Sequence, residues 1–139
     1  MPAVWGPKAD GTNGAMTEDE IVAYLFKVSN WRPDGPKGAT TKAFRNAANT
    51  MMNHDKGKSG GGTIYHFDGK TVFHSSENRG EATVFFTNVD NHVVSIVGVG
   101  EHSGKKSDTA TYTLVWKSKS WKPKVMTKDG LVDTNQISL

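Results

Sequence analysis

The chain contains no cysteine in its 139 residues. That excludes disulfides and thiolate metal sites, so its stability has to come from packing, and either redox compartment suits it. Long apolar runs are also missing: no stretch approaches the roughly 18 to 20 residues that a membrane-spanning helix needs. Residues 1–16 lack the apolar segment of a signal peptide. Their Pro, Gly, Asp and Asn content reads as a flexible leader ahead of one domain over 17–139, a length sufficient to bury a core. Acidic residues are scarce in one region. Between Lys105 and Lys128 stand Lys105, Lys106, Lys117, Lys119, Lys122, Lys124 and Lys128, against Asp108 alone. The whole chain carries only +3, so this is a local concentration of positive charge, suited to a polyanion such as RNA or to a solvated lysine face.

What is present begins with Thr17-Glu18-Asp19-Glu20, a capping box with the N-cap threonine three positions ahead of a glutamate. It opens a helix whose apolar stripe is Ile21, Tyr24, Leu25 and Val28, ended by Asn30 and Pro33. Thr40 or Thr41 caps a second helix with Phe44, Ala47, Ala48 and Met51 on one face. Residues 56–62 form a basic Gly-Ser stretch without the spacing of a phosphate-binding loop, and read as a connector. Strands follow: 63–67 and 70–74 around the turn signal Asp68-Gly69, then a turn over Ser75–Asn78. The segments Val84–Phe86 and Val93–Val99 flank the polar turn Asn88–Asn91, and Thr109–Lys117 is a further strand. A short extended piece near Val125 and Met126 closes the chain. The expected fold is α+β, with two N-terminal helices on a four- to five-stranded antiparallel meander.

In a meander each turn brings its flanking residues together. A turn at 75–78 would set His74 beside Arg79, and the turn at 88–91 would return the chain to His102 at the same sheet end. The loop over 103–108, with Lys105 and Lys106, then leads to Tyr112. One edge is therefore expected to collect His74, Arg79, His102, Lys105, Lys106 and Tyr112, residue types suited to acid–base work and to stabilising a phosphorane-like charge. His92 belongs at the opposite end, because ten strand residues separate it from His102 by about 33 Å. His66 also falls towards that end, and His54 reads as a capping partner at a helix C-terminus. The histidines lack the close spacing and accompanying carboxylates of a metal site, so no metal and no cofactor are expected. In Trp116-Lys-Ser-Lys-Ser-Trp-Lys-Pro-Lys124, lysines alternate with aromatics. On an extended backbone Lys117 and Lys119 share a face, which suits phosphate tracking with base stacking, or equally an edge strand whose tryptophans close the core.

The stretch Arg79-Gly-Glu-Ala-Thr-Val-Phe-Phe-Thr-Asn-Val-Asp-Asn-His-Val-Val-Ser-Ile-Val-Gly-Val-Gly-Glu-His102 resembles the central hairpin of RelE/ParE-type toxins. The order of two helices and then a meander resembles the wider barnase, colicin D and RelE superfamily of bacterial ribonuclease toxins. With no strand read ahead of the helices, the pattern lies nearer the colicin-type tRNases than the antitoxin-paired RelE proteins. The resemblance implies a metal-independent endoribonuclease acting on tRNA or mRNA. Such domains are C-terminal toxin modules, secreted or delivered into the cytoplasm of a target bacterium and restrained by an acidic immunity protein or antitoxin, with no membrane insertion of their own. Only Arg79 and His102 match positions where that family places functional groups. His102 is then acid or base, and His74 or Tyr112 the second proton carrier. Arg79, Lys105 and Lys106 are charge stabilisers, with Lys117 and Lys119 as further RNA contacts. The competing readings are a basic module that binds RNA or protein without catalysis, and a toxin of this fold acting on another target such as gyrase.

Overall fold

The computed structural model describes residues 3–32, 41–54, 61–67, 70–77, 82–90, 92–103, 111–121, 124–127, 130–133 and 136–138; at 61–66, 76–77, 90, 101–103, 111–113 and beyond 121 it describes the backbone alone. The chain begins with two strands, β1 (Ala3–Pro7) and β2 (Asn13–Ala15), followed by α1 (Glu18–Ser29) and α2 (Thr41–Met52). Then come β3 (Gly61–Phe67), β4 (Lys70–Glu77), β5 (Ala82–Asp90), β6 (Val93–Ser103) and β7 (Thr111–Lys117). The last strands are β8 (Lys124–Thr127), β9 (Gly130–Asp133) and β10 (Gln136–Ser138).

The α+β class agrees with the sequence, but the finer architecture differs. The main sheet runs β10-β7-β6-β5-β4-β3, and β8 pairs with β9 in a separate hairpin. It is mixed rather than a pure antiparallel meander, because β1 lies parallel to β6, with Ala3 opposite Val93 and Trp5 opposite Ser95. The cause is local. β7 covers only the second half of β6, from Gly98 to Ser103, which leaves the backbone groups of the first half to be paired. β1 takes that place, and β2 folds back on it. Part of the segment expected to be a flexible leader is therefore sheet: Val4 and Met16 are core residues, and two strands precede the helices.

Helix α1 starts where the capping box places it. The Glu20 N–H donates to Thr17 Oγ1 at 3.2 Å, and the Thr17 N–H donates to Glu20 Oε1 at 2.9 Å. The second carboxylate oxygen of Glu20 accepts from the Ala9 N–H, tying the β1–β2 turn to the first turn of the helix. Asn30 ends α1 in the left-handed region at φ 58°. Arg45 of α2 holds Asp19 at 2.8 Å and Glu18 at 3.7 Å, which aligns the two helices.

Both helices cover one face of the sheet. Ile21, Leu25, Phe44, Ala48 and Met51 pack with Val84, Phe86, Val94, Ile96 and Val99. His54 is not a helix cap at the surface. It is buried, its ring 4.7 Å from Phe73 and 5.2 Å from Phe86. The opposite face carries a smaller cluster of Val72, Phe85, Val97 and Trp121, bordered by Phe67 and Leu114. Trp121 reaches it because β7 stops at Lys117 and the chain turns: the Ser118 N–H donates to the Val97 carbonyl at 2.7 Å, and the Trp121 N–H to the Ser118 carbonyl at 3.0 Å.

Candidate functional site

Strand β6 carries the centre of the site. Glycine at 98 lets the Trp121 ring lie directly against the strand, where a β-carbon would come within 2.7 Å of Cζ3. The strand continues past Val99 to His102, which is opposite Tyr112 of β7. Tyr112 is in turn opposite Ile137 of β10, a strand that the sequence reading did not contain. Adjacent strands lie about 4.8 Å apart, so positions 102 and 112 are neighbours at the end of the sheet. Residues 104–110, with Lys105 and Lys106, join these two strands and lie outside the described residues, as does Arg79.

The expected convergence of His74 with His102 does not occur. Ser75–Glu77 is strand rather than turn, and β4 continues until Glu77 pairs with Ala82. Pairing with β5 outweighs the turn character of Ser-Ser-Glu, so His74 sits in mid-strand, opposite Phe85 and Gly61. Phe85 faces Gly98, so His102 lies four positions further along β6 than the row of His74. That is about 13 Å along the strand and about 10 Å across it. His74 is half-buried, its ring 6.4 Å from that of Phe85, which stands 5.8 Å from Trp121.

The aromatic–lysine run also differs from expectation. Trp116 packs on the helix side, with Tyr24 meeting it edge-on at 5.9 Å, and Trp121 is fully buried. The Trp121 ring is closed to base stacking, and the half-buried Trp116 is turned towards the helices. Lys117 donates from Nζ to the Trp121 carbonyl at 3.0 Å, whereas Lys119 is exposed in the turn, so the two do not share a strand face. His92 is exposed at the far end, where its carbonyl accepts from the Ala3 N–H at 2.7 Å. His66 is opposite Thr71, also away from His102. Among the described residues, no three of His, Asp and Glu form a group that could hold a metal ion, and no helix is long and apolar enough to cross a membrane.

Neither family models, nor curated proteins, nor solved structures give a match to this chain.

The structure adds a concavity that sequence reasoning missed. A pocket of about 340 Å³ lies between the β1–β2 turn and α1, lined by Pro7, Lys8, Ala9, Ala23, Tyr24 and Lys27 together with Asp19 and Glu20. Tyr24 packs against the core on one side, as its place in the apolar stripe of α1 predicts, and burial pushes its phenol above the usual value. The signal that could have found the pocket was β1 itself, since without that strand nothing stands opposite Ala23 and Lys27. A shallower apolar dip of about 260 Å³ is bounded by Trp5, Val89, Val93 and Ser95.

Proposed function

We propose that the chain is a metal-independent endoribonuclease acting on tRNA or mRNA, with His102 and Tyr112 as its proton-transfer pair. The observation that supports this is the cross-strand pairing of His102 with Tyr112 at the sheet end that leads into Lys105 and Lys106. One group takes the ribose 2′-hydroxyl proton as that oxygen attacks phosphorus. The other protonates the departing 5′-oxygen, giving a 2′,3′-cyclic phosphate and a free 5′-hydroxyl. Lys105, Lys106 and Arg79 supply positive charge to the nonbridging oxygens. His74, in mid-strand, has no part in this pair. The cognate partner on this reading is an acidic immunity protein or antitoxin that covers the basic sheet end, and the protein works after delivery into the cytoplasm of a target bacterium. The strand ahead of the helices removes the ground for preferring a colicin-type tRNase to a RelE-type enzyme.

The test is cleavage of defined tRNA and mRNA substrates by the purified protein, its His102→Ala and Tyr112→Phe variants, with and without EDTA. We expect His102→Ala to cleave at least about 100-fold more slowly while binding RNA as before, as removal of an acid–base group does. EDTA should change nothing. Wild-type cleavage by His102→Ala removes the histidine from the site. Tight RNA binding by a wild-type protein that cuts no RNA replaces the enzyme with a binding module.

A further inference from the structure

The pocket beside α1 has walls that are fixed by the chain itself. On one side the β1–β2 turn is closed by the Lys8 N–H donating to the Thr12 carbonyl at 2.7 Å, and by Asp10, whose carboxylate accepts from the Thr12 N–H and Oγ1 at 2.9 and 2.6 Å. Gly11 takes a positive φ of 88° at its tip, and Glu20 holds the Ala9 N–H. On the other side Ala23, Tyr24 and Lys27 project from one face of α1. The apolar part of the lining is Pro7, Ala9, Ala23 and the half-buried Tyr24.

The charges at its rim are unequal in availability. Asp19 is engaged by Arg45, and Glu20 by the backbone N–H groups of Thr17 and Ala9. Among the described residues, the ammonium groups of Lys8 and Lys27 have neither a salt bridge nor a hydrogen bond. Tyr24 is half-buried and keeps its proton at neutral pH, so its hydroxyl is a donor. Lys8 bears on Asp10 and Glu20 through charge alone, and among the described residues Lys27 faces no such carboxylate. An apolar lining of this size, with two ammonium groups that make no direct bond and a neutral donor, is the composition of a small-molecule site.

We propose that this pocket binds a small organic anion with a flat apolar body, its carboxylate or phosphate received by Lys8 and Lys27 and its body resting on Tyr24 and Ala23. The site is separate from the His102 end of the sheet and does not rest on the ribonuclease reading. The test is an NMR titration of the labelled full chain with 2-naphthoate, and with uncharged 2-naphthamide as control. Shifts are expected at the amides of Ala9, Ala23, Tyr24 and Lys27, with the naphthoate binding more tightly than the amide. Lys8→Gln and Lys27→Gln should each weaken naphthoate by about two- to fivefold, the range of a solvent-exposed ion pair. Ala23→Trp, at an exposed helix position that tolerates a larger side chain, should fill the pocket and abolish binding. Absence of localised shifts at millimolar naphthoate overturns the proposal. So does equal binding of the amide, or binding that survives Ala23→Trp in a folded variant.

Discussion

Replacing Gly98 with alanine adds one methyl group where the structure has no room for it. The new carbon would stand 2.7 Å from Cζ3 and 3.2 Å from Cε3 of Trp121, and 3.4 Å from the Trp116 carbonyl oxygen. Backbone conformation raises no objection, since Gly98 does not have a positive φ. The cost therefore comes from the ring, and the ring cannot swing away freely. The backbone around it is held, since the Trp121 main-chain N–H donates to the Ser118 carbonyl and the Trp121 carbonyl accepts from Lys117 Nζ, and Phe85 packs against the ring itself. Overpacking of this kind costs about 1 to 3 kcal/mol. Loss of glycine freedom in the unfolded chain returns about 0.4 to 1 kcal/mol. The net loss expected for Gly98→Ala is thus about 1 to 2 kcal/mol, or a urea midpoint lower by about 1 M. Trp121→Leu alone should cost more, because it empties a fully buried site. In that background Gly98→Ala should cost nothing or become slightly stabilising, giving a coupling of about 1 to 2 kcal/mol in a double-mutant cycle. Far-UV circular dichroism is the right probe, because the cycle alters a tryptophan. Additive effects would refute the placement of Trp121 against β6 and reopen the base-stacking role that its burial closes.

Other perturbations test the elements that frame the sites. Thr17→Ala should cost about 1 kcal/mol, measured by urea denaturation, because the N-cap hydroxyl bonds the Glu20 N–H. Hydrogen bonds from the Ala9 and then the Thr17 N–H hold the Glu20 carboxyl below its ordinary 4.5. A lowered folded-state value means that its stabilisation is present above about pH 4.5 and is lost as pH falls through the lowered value. Glu20→Gln should therefore flatten the acid side of the stability profile, and an unchanged profile would count against the link between Glu20 and the β1–β2 turn. Arg45→Ala breaks a largely exposed pair with Asp19, so we expect a small loss of stability that fades in high salt. A salt-independent loss would point to packing of the arginine stem instead.

The helices were legible because their signals are local. Thr17 and Glu20 lie one turn apart, and the stripes of α1 and α2 repeat at the helical period. The antiparallel pairing of Phe67 with Lys70 and the β5–β6 hairpin were legible for the same reason. What the sequence concealed depends on pairing between distant segments. Ala-Val-Trp-Gly-Pro has little strand character of its own and becomes a strand because β6 offers an unpaired flank. Ser75 and Ser76 read as turn residues, yet each pairs with a β5 residue, and this extension carried His74 away from the sheet end. Of the candidate site, the approach of His102 to Tyr112 was within reach of register counting across one loop. The fates of Trp116 and Trp121 were not, since lysine spacing says nothing about which side of a sheet a ring will enter.

Pairing along β6 also bears on the order in which this chain acquires its shape. Its first strand, Ala3–Pro7, docks in the sheet against Val93–Ser95 of β6, and the second half of β6 then receives β7. During synthesis the apolar stripe of α1 emerges well before the sheet that will cover it exists. Contacts of such long sequence separation make folding slow, because the loop between them must be closed before the contacts repay its entropy. A nascent chain stalled before Val93 would leave Ile21, Leu25, Phe44 and Met51 in a core that lacks Val94, Ile96 and Val99. The start of the molecule is completed only when its second half arrives.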